Sequence, residues 1–134
     1  MQVFKLHPDA MVPMRQTSGY DLYALEDTNI YDPTLVRTGL QVRLPKGHHG
    51  RIAPLDSLAV NHGVHFVSGV IDLDHRGEVK VVLMQLAYDT PFVIKKGECI
   101  AQLILECASE MAVMEVDVEM PREDRKGGFG STNQ

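Results

Sequence analysis

The chain has no tryptophan, only two cysteines, and fewer basic than acidic side chains, 13 Lys and Arg against 18 Asp and Glu. Each shortage excludes something. A formal net charge of −5 leaves no clustered Lys and Arg to track a phosphodiester backbone, so a dedicated nucleic-acid binder is excluded and a small anion accompanied by a cation is not. Nowhere do 18 apolar residues run together, and the opening MQVFKLHPDAMVPMRQ holds no long apolar stretch; neither a membrane span nor a secretory leader is expected. Cys99 and Cys107 fall on one expected strand, roughly 26 Å apart at strand rise and too distant to bridge. Free thiols fit a reducing, intracellular setting. Missing too is any helical period sustained for three turns.

What is present is a succession of short alternating runs. The 134 residues, 44% hydrophobic and 23% charged, suit one globular domain with a real core. QVFKL opens on a strand, GYDLYAL alternates with aromatics, and DTNIYDP turns around another brief strand. TLVRTGLQVRLP reads as one half-buried strand, with Leu40, Val42 and Leu44 on one face and Gln41 and Arg43 on the other. Residues 55–63, LDSLAVNHG, form the one helical turn, with Asp56 as its N-cap and Gly63 as its stop. VHFVSGVID, EVKVVLMQLAY, PFVIKKGE, CIAQLILE and AVMEVDVEM return to strand. The spacing of turn signals predicts an all-β sandwich or barrel of jelly-roll type over residues 1–121. Residues 122–134 make a charged, then Gly-rich arm that cannot add to a core.

The chemistry concentrates in GVIDLDHRGEV, residues 69–79. Asp72 closes the apolar run of Val70 and Ile71, and Asp74, His75, Arg76 and Gly77 have the composition of a hairpin turn before the next strand. Taken locally, these residues serve the backbone; a carboxylate held at a strand end is also well placed for acid–base work. In the arm, Phe129 sits between glycines and precedes Ser131 and Thr132, a composition that suits stacking on a base and donating to phosphate oxygens.

Five stretches, in order, resemble the five motifs of the deoxyuridine triphosphatase (dUTPase) family: SGYDLYA at 18–24, GRIAPLDSLAV at 50–60, GVIDLDHRGEVKVVL at 69–83, KGECIAQLILE at 96–106 and RKGGFGST at 125–132. The resemblance implies a jelly-roll subunit forming homotrimers with shared sites, the Gly-rich arm closing over the nucleotide. The implied reaction is hydrolysis of dUTP to dUMP and pyrophosphate, with Mg²⁺ held through the phosphates rather than by protein ligands. By position, Asp72 would activate the water that attacks the α-phosphorus. Gly69, Val70 and Ile71 would supply backbone contacts to uracil, and His75 would occupy the place of the tyrosine that crowds a ribose 2′ position. Gln102 would contact the phosphate chain or a metal-bound water. Arg125, Gly128, Phe129, Gly130, Ser131 and Thr132 would close over base and phosphates, and Asp21 and Asp56 would support the site.

The second stretch departs from the family pattern. Where the family has Pro-Arg-Ser, this chain has Pro54, Leu55 and Asp56, so the arginine and the donor to the bridging phosphate oxygen are both replaced. Shifting the alignment by one residue brings Ser57 to the serine position at the cost of the match at Leu58 and Ala59. The fifth stretch is one residue short between Arg125 and the Gly-Gly-Phe, which leaves Arg122 as an alternative arginine. Two function classes therefore stand: a dUTP diphosphatase, and a protein of the same fold that binds nucleotide or a partner protein without turnover. A metal module of His48, His49, His62, His65 and His75 follows no recognised ligand spacing.

Overall fold

A computed structural model describes residues 1–67, 69–86 and 89–122. Twelve strands run through them: β1 (Gln2–Lys5), β2 (Met14–Arg15), β3 (Tyr20–Tyr23), β4 (Thr28–Ile30), β5 (Thr34–Arg37), β6 (Leu40–Arg43), β7 (His48–Ala53), β8 (Val64–Phe66), β9 (Val70–Ile71), β10 (Lys80–Gln85), β11 (Phe92–Ile94) and β12 (Cys99–Cys107). The one helix among the described residues, α1 (Asp56–His62), lies between β7 and β8. The strands assemble antiparallel into a five-stranded sheet ordered β2-β3-β12-β7-β9, a three-stranded sheet β5-β10-β8, and the pairs β1-β6 and β11-β4. The expected all-β architecture is the observed one.

Period-two alternation explains which faces meet. Leu22 of β3, Ile30 of β4, Val36 of β5, Val81 of β10, Ile94 of β11 and Leu103 of β12 all lose their solvent-accessible surface to one core. Each such side chain contributes roughly 1.5–3 kcal/mol of apolar burial. Leu40, Val42 and Leu44 are buried as their alternation requires, while Arg43 faces solvent.

Five local expectations need correction. VHFVSGVID divides into β8, which pairs with β10, and β9, which pairs with β7 in another sheet. TLVRTGLQVRLP is two strands, not one: Gly39 sits at φ +70° between β5 and β6, a conformation that breaks the pleat and that side chains other than glycine resist. Asp56 is the first helical residue rather than the cap; Leu55 holds the cap position, in extended conformation and without a side-chain cap hydrogen bond, while Gly63 ends the helix in the left-handed region as expected. AVMEVDVEM forms no strand, and its apolar side chains stand in solvent; alternation alone cannot make a strand without a neighbouring edge to pair with.

The fifth lies at residues 69–79. β9 pairs with β7 at the edge of the five-stranded sheet, whereas β10 belongs to the three-stranded sheet with β5 and β8. The run from Asp72 to Val79 is thus a crossing between sheets and not a hairpin turn. It is tied along its length. His75 N–H donates to the Asp72 carbonyl at 3.0 Å, Arg76 Nη1 donates to the carbonyls of Leu73 and His75 at 3.0 Å each, and Gln41 Nε2 donates to the Arg76 carbonyl. At its far end Glu78 accepts from Arg37 Nε at 3.1 Å, from Arg37 Nη2 at 3.1 Å and from Gly39 N–H at 3.2 Å.

Burial works against the charge on Glu78, but the hydrogen bonds from Arg37 and Gly39 outweigh it and hold the carboxyl below the usual carboxylate range. Glu78 therefore stabilises the fold above the pKa it has in the unfolded chain, and the contribution is lost as pH falls through its lower folded value. Glu78→Gln is expected to cost about 1–3 kcal/mol at neutral pH, with the gap to the unsubstituted chain closing in acid. Denaturant melts across pH read this directly; a gap that does not change with pH would mean that packing, not charge, holds Glu78.

Candidate active site

Three adjacent strands set one half of the site. Gln102 of β12 stands opposite Asp21 of β3 on one side and Ala53 of β7 on the other. Gln102 Nε2 donates to Asp21 Oδ1 at 3.2 Å, and Gln16 Nε2, from the connection between β2 and β3, donates to Asp21 Oδ2 at 3.1 Å. Beyond Ala53 the chain passes Pro54 and the half-buried Leu55 into α1, whose first turn carries Asp56 and Ser57, both exposed.

A register shift in β12 between Cys99 and Ala101 adds one residue against β3. Such bulges re-aim side chains, and here the bulge puts Cys99, paired with Tyr23, on the same face as Asp21 and Gln102. Burial pushes the Cys99 thiol and the Tyr23 phenol up in pKa, and the Asp21 charge adds to both shifts. Both groups are therefore held neutral beside the carboxylate.

The other half lies elsewhere on the same sheet. Ile71 stands opposite Gly50 and Val70 opposite Arg51, with Gly69 accepting from Ile52 N–H at 2.7 Å. Continued by one residue, that register sets Asp72 level with His49, on the opposite flank of β7 from Gln102. At strand dimensions the two are on the order of 15 Å apart. Asp72 is exposed and, among the described residues, its carboxylate has no side-chain hydrogen bond or ion pair. His75 is half-buried, with Nε2 at 3.5 Å from the Glu78 carbonyl, the outer limit of a hydrogen bond. One chain thus gathers Asp21, Gln102 and the start of α1 at one place and Asp72 with His75 at another.

Among the described residues no three His, Cys, Asp or Glu side chains converge on a metal position. The histidines are dispersed. His48 Nε2 lies 3.8 Å from Cys107 Sγ, His49 Nε2 lies 3.0 Å from Glu106, and His62 stacks on Phe92 with centroids 4.2 Å apart. A groove of about 530 Å³ between β1 and β6 is lined by Phe4, Gln41, Arg43 and Arg76 and reaches none of Asp21, Gln102 and Asp56.

The family model for dUTPase matches residues 9–133, nearly the whole chain. The chain belongs to the dUTPase family. Deoxyuridine 5′-triphosphate nucleotidohydrolase of Candida albicans is 40% identical over 141 aligned positions, covering 100% of this chain and 88% of that protein. The protein of the same name from Paramecium bursaria Chlorella virus 1 is 41% identical over 140, covering 97% and 95%. Among solved structures, Staphylococcus bacteriophage 80alpha dUTPase with dUPNHPP superposes with a TM-score of 0.81 at 20% identity, covering 98% of this chain and 97% of that one. A mutant dUTPase from phage phi11 of S. aureus, solved with attention to a structural Mg(II) ion, gives 0.78 at 18% identity, covering 87% and 95%. These two likenesses establish the jelly-roll dUTPase fold.

Within this dUTPase-family chain the structure places Asp21, Asp56, Ser57, Gly69, Val70, Ile71, Asp72, His75 and Gln102, and Arg122 is exposed. Arg125, Gly128, Phe129, Gly130, Ser131 and Thr132 lie outside the described residues. Gln16 and Cys99 entered the site only with the structure. No motif pointed to Gln16, and Cys99 reaches this face only through the bulge.

Proposed function

We propose that this chain hydrolyses dUTP to dUMP and pyrophosphate by attack of water on the α-phosphorus, in sites built where copies of the chain meet. The observation that carries this is Asp72. It is an exposed carboxylate without a side-chain partner among the described residues, and it sits on a crossing clamped by Arg76, Gln41 and Glu78. A carboxylate so placed can orient a water and accept its proton; attack in line on a phosphorus atom otherwise needs positioning and neutralised charge. Gly69, Val70 and Ile71 would take the uracil through their backbone, Gln102 the phosphate side, and Asp21, Asp56 and Ser57 the surroundings. Residues 1–121 serve as the catalytic body, and 122–134 as the arm that brings Arg125, Gly128, Phe129, Gly130, Ser131 and Thr132 over the nucleotide.

Mg²⁺ fits as a companion of the triphosphate, since no three protein ligands converge among the described residues and both oxygens of Asp21 already accept from amides. When bound it would neutralise the phosphate charge. The separation of Asp72 from Gln102 on one chain supports sites shared between subunits of a homotrimer. Exposed Val113, Met114, Val116, Val118 and Met120, with the first at 99%, supply apolar surface that a second copy would cover. No helix among the described residues is long and apolar enough to cross a membrane. The free Cys99 and Cys107 suit a reducing compartment, and we place the protein inside the cell on that ground.

Leu55 and Asp56 favour a second reading, a dUTPase fold that binds nucleotide or a partner protein without turnover. Pyrophosphate release from dUTP with Mg²⁺, beside UTP and dCTP, decides between them. Turnover of dUTP is expected, with dCTP poor and UTP less strongly rejected than dCTP because His75 is a smaller ring than tyrosine. No release above the enzyme-free rate would leave the binding reading. Sedimentation of the free protein is expected to find three chains, and a monomer would remove the shared site.

A further inference from the structure

Asp21 joins two amides. Gln102 Nε2 and Gln16 Nε2 donate to its two oxygens at 3.2 and 3.1 Å. An ionised carboxylate only accepts, so each amide must turn its NH₂ toward Asp21 and its Oε1 away. Gln102 is thereby held in one of its two flip states. Gln16 is itself held: its N–H donates to the Gly19 carbonyl at 2.6 Å, and the turn lies so close to β12 that a Cβ on Gly19 would meet the Leu103 carbonyl oxygen at 2.6 Å. The turn thus has little room to move relative to the strand that carries Gln102. Cys99 and Tyr23, on the same face, bring no positive charge to Asp21. Among the described residues, the amides that fix the carboxylate are those of Gln16 and Gln102, and the neutral Cys99 thiol on the same face adds a weaker donor to it.

We propose that Gln16 is a positioning residue: through Asp21 it fixes the Gln102 amide so that Oε1 stays available as an acceptor for a water. Its catalytic consequence rests on the dUTP-hydrolysis reading above; its geometric content does not. In this state Oε1 accepts from a water hydrogen, while the second N–H of Nε2, beyond the one given to Asp21, remains to donate toward the phosphate side. Removing the Gln16 donor frees one oxygen of Asp21, lets that carboxylate rotate, and lets Gln102 sample the flipped state.

The test uses the full chain with Gln16→Leu and Gln16→Arg, the second restoring a donor to Asp21. Gln16→Leu is expected to lower kcat for dUTP about tenfold while KM moves by less than about twofold, because a misplaced acceptor is felt in the reacting complex more than in binding. Gln16→Arg is expected to recover most of the loss. The side-chain ¹H–¹⁵N pair of Gln102, read in the free protein, should be sharp and dispersed in the unsubstituted chain and in Gln16→Arg, and broadened in Gln16→Leu. Unchanged kcat with unchanged Gln102 signals in Gln16→Leu would overturn the proposal, as would equal losses in both variants with lowered thermal stability. If the unsubstituted chain turns over no dUTP, the hydrolysis reading fails, and the Gln102 signals alone still decide the positioning.

Discussion

Asp72→Asn is expected to lower pyrophosphate release from dUTP by about 10³-fold, within the span typical of losing a general base. Asparagine keeps the shape and polarity of the side chain and loses the ability to take a proton from water. Asp72 is exposed and free of side-chain partners among the described residues, so the substitution should leave stability within about 0.5 kcal/mol, and KM should change little. The neighbouring Asp74 is a built-in comparison. It is also exposed and lies on the same clamped crossing, yet Asp74→Asn should retain most of the activity. Turnover and thermal unfolding of both variants check this. A fall in rate shared equally by the two would point to the charge of the crossing as a whole, and wild-type turnover in Asp72→Asn would remove it from the chemistry.

The second large effect runs the other way. Leu55→Arg combined with Asp56→Ser is expected to raise kcat/KM for dUTP by about 10²-fold, since a donor aimed at charge developing on a phosphate oxygen is worth about 10² to 10³ in rate. The single change Asp56→Ser should give part of the gain by removing a carboxylate that repels the triphosphate. The structure adds a cost to that gain. Asp56 is the acidic residue in the first turn of α1, and Leu55 makes no side-chain cap there. Losing a negative charge at a helix start costs about 0.3–1 kcal/mol, so activity and stability should move in opposite directions. Steady-state kinetics paired with denaturant melts would show it. No gain in rate would place the limit outside the second motif.

Much of the candidate site was legible because its signals are local. Gly63 after a short helical run and Gln102 within a long alternating strand are set by neighbours in the chain, and their elements form where expected; Asp72 follows its apolar pair as read, though the run VHFVSGVID leading to it divides between two sheets. What misled were assignments that depend on a distant partner. GVIDLDHRGEV has the composition of a hairpin, but turn residues suit a crossing between sheets equally well, and only the pairing of Ile71 with Gly50 and of Leu83 with Thr34 and Phe66 separates the two. AVMEVDVEM alternates as well as any strand in the chain and pairs with no edge among the described residues.

By itself the sequence determined the all-β character, the one short helix among the described residues with its stop, and the family, and it singled out Asp72 as the carboxylate proposed for hydrolysis. Those follow from period, turn chemistry and motif order, each carried by residues close together in the chain. Tertiary structure alone decided that Asp72 and Gln102 lie on opposite flanks of β7, that a bulge in β12 turns Cys99 toward Asp21, and that Gln16 reaches the same carboxylate. The physical reason is register. Which strand lies beside which, and with what offset, is set by the packing of one shared core across more than a hundred residues, and a change of one residue in that offset moves a side chain to the other face.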